Sequence, residues 1–337
     1  MKKIFNLIAS FVLLAGFSAC NKDGSDKPGL PPAPVPTVNY KGLTFISSGK
    51  STVCLAKVGA PDEITLEYST DESQWNPYTI GEKISMADGS FLLFRAGEQK
   101  NLTFSKGSDS YYHFEISGPV TAQGNIMSLL DRDFSTPLST NAFFALFEGC
   151  TSLLSAPELP ATTMEQGCYF RMFAECTGLK SAPELPAKEL AYNCYGWMFK
   201  GCSALTYVPD LPATEMVSYC YNNMFANCTS LKFAPELPAT RLDMDCYHCM
   251  FEGCTSLTSA PELPATELVS NCYEFMYKDC RNLRYVIGLF TTEPSEKTTK
   301  DWLSGVAASG TFIKSKKATW DVTSAHGVPE GWKIETW

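Results

Sequence analysis

The feature that most restricts this chain is a step of 26 residues. The tripeptide Leu-Pro-Ala begins at Leu159, Leu185, Leu211, Leu237 and Leu263. Cysteine keeps the same step at Cys150, Cys176, Cys202, Cys228, Cys254 and Cys280, and again at Cys168, Cys194, Cys220, Cys246 and Cys272. Self-similarity at a period of about 20–50 residues marks a solenoid, in which each unit buries its apolar side only by stacking on its neighbours. Six units fit the frame: 136–161, 162–187, 188–213, 214–239, 240–265 and 266–291. The end units are irregular. Ala142 stands where the others have Cys, and Ile287 and Phe290 stand where the others have Pro. Terminal rungs meet solvent or another domain, so the code relaxes there.

Within a unit, Cys168, Met172 and Cys176 are spaced i, i+4, i+8, with Tyr169 and Phe173 beside them. That spacing predicts one apolar face of a helix of about three turns. Thr162 and Glu165 have capping-box spacing and could start it. A short strand follows, and Pro183, which has no N–H to give, ends its ladder. The phrase Met-Phe-x-x-Cys-x-x-Leu recurs at Met172–Leu179, Met198–Leu205, Met224–Leu231 and Met250–Leu257. It resembles the BspA-type leucine-rich repeat of bacterial surface proteins, over the whole six-unit array. The expected fold class is α+β: a small β-sandwich domain followed by a leucine-rich-repeat-type solenoid with one short strand and one helix per 26-residue repeat. The resemblance implies adhesion to host matrix, mucin or other cells.

The chain has 14 cysteines. If the repeats are helical, Cys168 and Cys176 lie ~12 Å apart along one helix, and equivalent cysteines sit on helices about 8–10 Å apart. Both exceed the roughly 4.4–6.8 Å between Cα atoms that a bridge needs. Buried thiols are therefore the favoured reading, with some disulfides or a metal set as alternatives.

The segments outside the array have their own texture. Lys2 and Lys3, an apolar run from Ile4 to Phe17 and then Ser18-Ala19-Cys20 read as a secretion signal over residues 1–20. The run is shorter than the ~20 residues a membrane span needs. It resembles a lipoprotein signal, which implies lipidation at Cys20 and an outer-membrane, surface-exposed chain held to the membrane only by its N-terminal lipid. Residues 21–37 are a Pro-rich tether. Residues 38–120 carry short runs such as "TVCLAKV" and "ITLEYST", which predict the sandwich. Residues 121–135 are a connector and 292–337 a C-terminal cap. The Asn101 sequon reads as coincidence in such a chain. A net charge of −9 gives no basic stripe, so no nucleic-acid partner is expected.

No catalytic constellation and no cofactor motif is present, and His113, His248 and His326 lie in different segments. The chain reads as a binding protein, not an enzyme. Glu158, Glu184, Asp210, Glu236 and Glu262 form a carboxylate column. No metal set is expected, with Glu184, Asp210, Glu236 and Glu262 kept as a weak calcium alternative to a solvated row. The column Ser155, Ser181, Tyr207, Phe233, Ser259, Tyr285 mixes sizes that a packed interior would not accept, so it should face outward. Arg171, Trp197, Cys249 and Phe275 form a second variable column. Tyr207, Phe233, Tyr285 and Trp197 are the candidate ligand-binding residues, and the expected partner is an extracellular protein or glycan. Accessory glycan binding or degradation in polysaccharide uptake, and a structural surface-layer role, are the alternatives.

Overall fold

The computed structural model describes residues 42–98, 102–320 and 326–337. The signal segment, Cys20, the tether and Asn101 lie outside the described residues.

The repeats contain no α-helix, which corrects the expected helix-bearing leucine-rich-repeat solenoid. The one helical element among the described residues is a four-residue 3-10 turn, Ile126–Leu129. In place of helices, each unit runs through consecutive turns with a left-handed residue at every fourth position. In the second unit these are Gly167, Arg171 and Glu175, at φ 60°, 58° and 59°. In the next they are Asn193, Trp197 and Gly201, at 55°, 59° and 76°. The spacing of Cys168, Met172 and Cys176 is thus a four-residue turn period, which over two repeats of itself mimics the 3.6-residue helix. Glu165 supplies the carbonyl for the Cys168 turn rather than a helix cap.

Backbone hydrogen bonds show why this path is stable. Even-numbered residues close turns: Phe170 N–H donates to the Gly167 carbonyl at 3.0 Å and Met172 N–H to that of Tyr169 at 3.1 Å. Odd-numbered residues donate to the next rung: Tyr169 to Cys194, Arg171 to Gly196 and Phe173 to Met198, at 3.1, 3.0 and 2.9 Å. From Gly167 to Cys176 every N–H finds a carbonyl without helix or sheet, as burial requires.

On the opposite side the rungs pair as parallel strands, and proline decides how far. Where successive rungs all carry the Pro-x-Leu-Pro motif, pairing shrinks to single bridges such as Ser181 with Tyr207 and Phe233 with Ser259. Ile287 and Phe290 replace two of those prolines, and a continuous parallel sheet forms there: β11 (Ser259–Leu263), β12 (Tyr285–Gly288), β13 (Thr311–Lys314) and β14 (Lys333–Thr336). Thr311 is 26 residues after Tyr285 and pairs with it, so the stack continues beyond residue 291.

The N-terminal part is built from two sheets. One holds β1 (Leu43–Ser47), β6 (Phe91–Ala96), β3 (Leu66–Ser69), β4 (Asn76–Tyr78) and β9 (Val120–Gln123). The other holds β2 (Ser51–Val58), β5 (Ile84–Met86), β7 (Ser105–Gly107) and β8 (Ser110–Ser117). Phe45 and Phe94 of the first meet Phe114 of the second at 5.0 and 5.6 Å between ring centroids. This part also seeds the solenoid. β10 (Leu153–Ser155) adds in parallel to β9, and Phe114 N–H donates to the Leu146 carbonyl.

Inside the stack, like lies on like. Phe114, Phe147, Phe173, Phe199, Phe225, Phe251 and Tyr277 form a column with centroids 5.2–5.7 Å apart and rings within 15° of parallel. A second column runs Tyr169, Tyr195, Tyr221, Tyr247, Tyr273 at 5.8–5.9 Å. Trp302 lies over the last tyrosines of both columns and donates its Nε1–H to the Gly327 carbonyl.

All 13 described cysteines are free and buried. Rungs spaced like parallel strands, ~4.8 Å apart, bring equivalent Cα atoms within disulfide range, so the helical distance argument does not apply. Hydrogen bonding gives the thiols another role. Cys176, Cys202, Cys228, Cys254 and Cys280 each donate an S–H to the carbonyl of a phenylalanine in the preceding rung, at 3.0–3.2 Å.

Burial pushes the Cys150, Cys194, Cys254 and Cys272 thiols up from their ordinary value of 9.0 to about 12. The unfolded chain therefore releases these protons first, so stability is complete below pH 9 and drains away as pH rises towards 12. Each such thiol contributes a loss of about 1.4 kcal/mol per pH unit in that window. Urea midpoints measured from pH 7 to 11 should be flat below pH 9 and fall steeply above it. Removing one plate, Phe199→Ala, should cost about 3–5 kcal/mol, read as a lowered urea midpoint at pH 7.

Candidate functional site

Two surfaces carry residues that break the repeat. The first is the parallel-strand side. Phe233 and Tyr285 are 47% and 40% exposed, and Tyr207 is half-buried. Bridges place Tyr207 beside Ser181, and Phe233 and Tyr285 on either side of Ser259. Ser259, between Phe233 and Tyr285, leaves room for a partner's side chain or ring. Burial, then the charges of Glu184 and Asp210, raise the Tyr207 phenol above its ordinary value. In that column Glu184, Asp210 and Glu236 are exposed and Glu262 is half-buried. The Glu236 N–H donates to Asp210 Oδ1 at 3.1 Å, so this carboxylate props the next rung's backbone.

The second surface is the turn side, where the left-handed positions are. The outer two of the three per unit are mostly Asn, Asp or Gly, which accept this conformation most readily: Asn141, Gly167, Asn193, Asp245 and Asn271 in one column, Gly149, Gly201, Asn227, Gly253 and Asp279 in the other. The middle column is Ala145, Arg171, Trp197, Asn223, Cys249, Phe275, at φ 53–59°. A left-handed backbone costs about 1–2 kcal/mol for such residues. The variable column thus coincides with stored strain.

Trp197 is not a free platform. Its Nε1–H donates to Asn222 Oδ1 at 3.0 Å, and Lys200 Nζ lies 3.8 Å from the indole centroid. From Trp197 a polar relay runs along successive rungs. Asn223 Nδ2 also donates to Asn222 Oδ1, at 2.6 Å, and two donors on one oxygen fix the orientation of that amide. Its Nδ2 must then donate to His248 Nδ1, 3.3 Å away. The Nδ1 lone pair is occupied, so neutral His248 carries its proton on Nε2, which faces Glu274 Oε2 at 3.7 Å and Cys249 Sγ at 3.8 Å. Lys300 Nζ approaches the other Glu274 oxygen at 4.0 Å.

Asp245, His248 and Glu274 offer atoms within 4.8 Å of one another, the spacing of a cation site. The relay argues against that use. A metal on Nε2 needs a proton on Nδ1, which would point at the Asn222 amide hydrogens, and a metal on Nδ1 would displace that amide. Among the described residues this is where three such groups meet, and the column of Glu184, Asp210, Glu236 and Glu262 does not form one.

Beside the relay lies an aromatic pair that the 26-residue columns concealed. Tyr192, 46% exposed, packs on Tyr219 with centroids 5.4 Å apart, and the Asp245 carboxylate accepts from the Tyr219 hydroxyl and raises its pKa. Tyr192 and Tyr219 stand one position apart in the repeat, so no single column contained both. Comparison of the chain with protein families, with curated proteins and with solved structures found no match.

Asn222 is buried and serves three partners. Asn222→Leu should cost about 1–3 kcal/mol by stranding the Trp197 donor and the His248 acceptor, measured as a lowered urea midpoint at pH 7. The same change at Asn282, an exposed side chain that donates to the Thr255 carbonyl, should cost less.

Proposed function

We propose that this chain is a surface-displayed binding protein whose solenoid holds an extracellular protein or glycan, in the manner of an adhesin. One observation carries the reading. On a stack whose interior repeats the same Phe, Tyr, Cys and Met on rung after rung, large aromatic side chains stand outward on the strand side at Phe233 and Tyr285, with Tyr207 partly exposed. A core does not need them there. Aromatic rings supply much contact area for little lost side-chain entropy, and residues of this kind dominate binding energy at interfaces.

The resemblance of the Met-Phe-x-x-Cys-x-x-Leu phrase to BspA-type repeats favours the same role, as does the lipoprotein-like signal ending at Cys20. The lipid would hold the chain to an outer membrane, and the Pro-rich tether would carry the solenoid away from it. Binding rather than turnover suits the strand side, where the carboxylates recur once per rung with the stack.

The test is binding of residues 38–337 to arrayed matrix proteins and mucin glycans, beside a Tyr207→Ser, Phe233→Ser, Tyr285→Ser triple variant. The expected result is a bound partner for the parent chain and at least about a hundredfold loss in the variant, since each anchoring ring contributes roughly 1–2 kcal/mol. The three side chains are at the surface, so thermal melting should move little. Undiminished binding by the variant would remove the strand side from the reading.

A further inference from the structure

The N-terminal part has a cleft that neither the solenoid nor its proposed partner uses. It lies on the outer face of β6, where Leu93 and Arg95 point away from the core between the sheets. Its volume is about 410 Å³, within the usual range for small-ligand sites. Leu93 and Arg95 line it from β6, Trp75 and Glu72 from the loop after β3, and Arg132 and Phe134 from the segment after the 3-10 turn.

Both loops are braced from within. Asp71 Oδ1 accepts from the Ser73 and Gln74 backbone N–H groups at 2.9 and 2.8 Å. Asp131 accepts from the Asp133 N–H and from the Ser135 and Thr136 hydroxyls. Each loop turns through one left-handed non-glycine residue that lines the cleft, Glu72 at φ 63° and Phe134 at φ 58°.

The charges are arranged with equal care. Glu67 holds two guanidinium groups, Arg95 through Oε2 and Arg132 through Oε1, each at 2.7 Å. Arg132 Nε also donates to the Ala96 carbonyl at 3.1 Å, and the Arg95 guanidinium sits 3.7 Å from the Trp75 ring centroid. The triad carries one net positive charge, and Nη1 of each arginine lies outside these contacts. The result is a fixed pair of planar donors beside two aromatic rings.

We propose that this cleft binds a saccharide unit bearing a carboxylate. The sugar ring lies against Trp75 and Phe134, and the carboxylate takes the two arginine Nη1 groups. Arginine suits that task because its planar donors match a carboxylate's two oxygens. Glu72, on the rim, opposes an acidic ligand and sharpens the choice of a weakly charged one. This site is separate from the strand-side aromatics, so either can be absent without the other.

The experiment is calorimetric titration of the full chain, solubilised in detergent, with a glucuronate-ended oligosaccharide and its glucose-ended counterpart. The acidic sugar should bind at least about tenfold more tightly than the neutral one, and added salt should weaken it. Trp75→Ala and Arg132→Met should each weaken the acidic sugar about tenfold or more, whereas Phe233→Ser should leave it unchanged. Arg132→Met also removes the bonds to Glu67 and Ala96, so Glu72→Gln supplies the arm that leaves that support intact, and it should tighten binding severalfold. Equal binding of the two sugars, binding of neither, or binding indifferent to both Trp75→Ala and Glu72→Gln would overturn the proposal.

Discussion

The hydrogen bond from each odd-numbered N–H of the turn side to a carbonyl one rung further on governs the rest of the structure. It leaves the even-numbered N–H groups to close turns, and the two sets together satisfy a backbone that is neither helix nor sheet. The scheme needs a left-handed residue every fourth position, which is why Asn, Asp and Gly recur at the outer corners. A constant step of 26 keeps each donor position over its acceptor position from rung to rung, as in Tyr169 to Cys194, Tyr195 to Cys220 and Tyr221 to Cys246.

A fixed rise between rungs then selects side chains that stack on copies of themselves. Flat rings do so at 5.2–5.9 Å, and the thiol does so by reaching the carbonyl of the Phe column in the rung before. Cysteine is small enough for a crowded column and can still donate a proton, which alanine cannot. The ends of such columns need different chemistry. Phe114 of the N-terminal sheets supplies the first plate, with Cys150 donating to its carbonyl as later cysteines do to later phenylalanines. Trp302 supplies a broad closing plate whose one polar atom is bonded to Gly327.

Because the interior is constrained to repeat, what distinguishes one rung from another is displaced to the surface. The strand side shows exposed rings separated by serine. The turn side shows a polar relay in which Asn222, fixed by Trp197 and Asn223, sets the tautomer of His248 and so the proton facing Glu274. These sides differ in what they offer a partner. The first presents ring faces with little polar commitment, and the second presents groups whose hydrogen bonds are largely spent within the protein.

Much of this was legible in the residues. The 26-residue period established a stack, the constancy of Phe, Tyr, Cys and Met columns identified its inward side chains, and the mixed column through Tyr207, Phe233 and Tyr285 identified an outward one. The nature of the turn side was misread because spacings of i, i+4 and i+8 fit a four-residue turn as well as a helix. Asn, Asp and Gly at positions eight apart were the available signal against helix, since residues suited to a left-handed backbone are poor in helix interiors. Other features belong to tertiary structure alone. That Trp197 is spent on Asn222, that Tyr192 meets Tyr219, and that residues from 42 to 134 converge on one cleft depend on which rungs and loops are neighbours in space. Periodicity in one dimension determines what must lie inward. It carries no information about which outward groups on different rungs or loops come within hydrogen-bond reach, because that is decided by the rise of the stack and the path of the chain between elements.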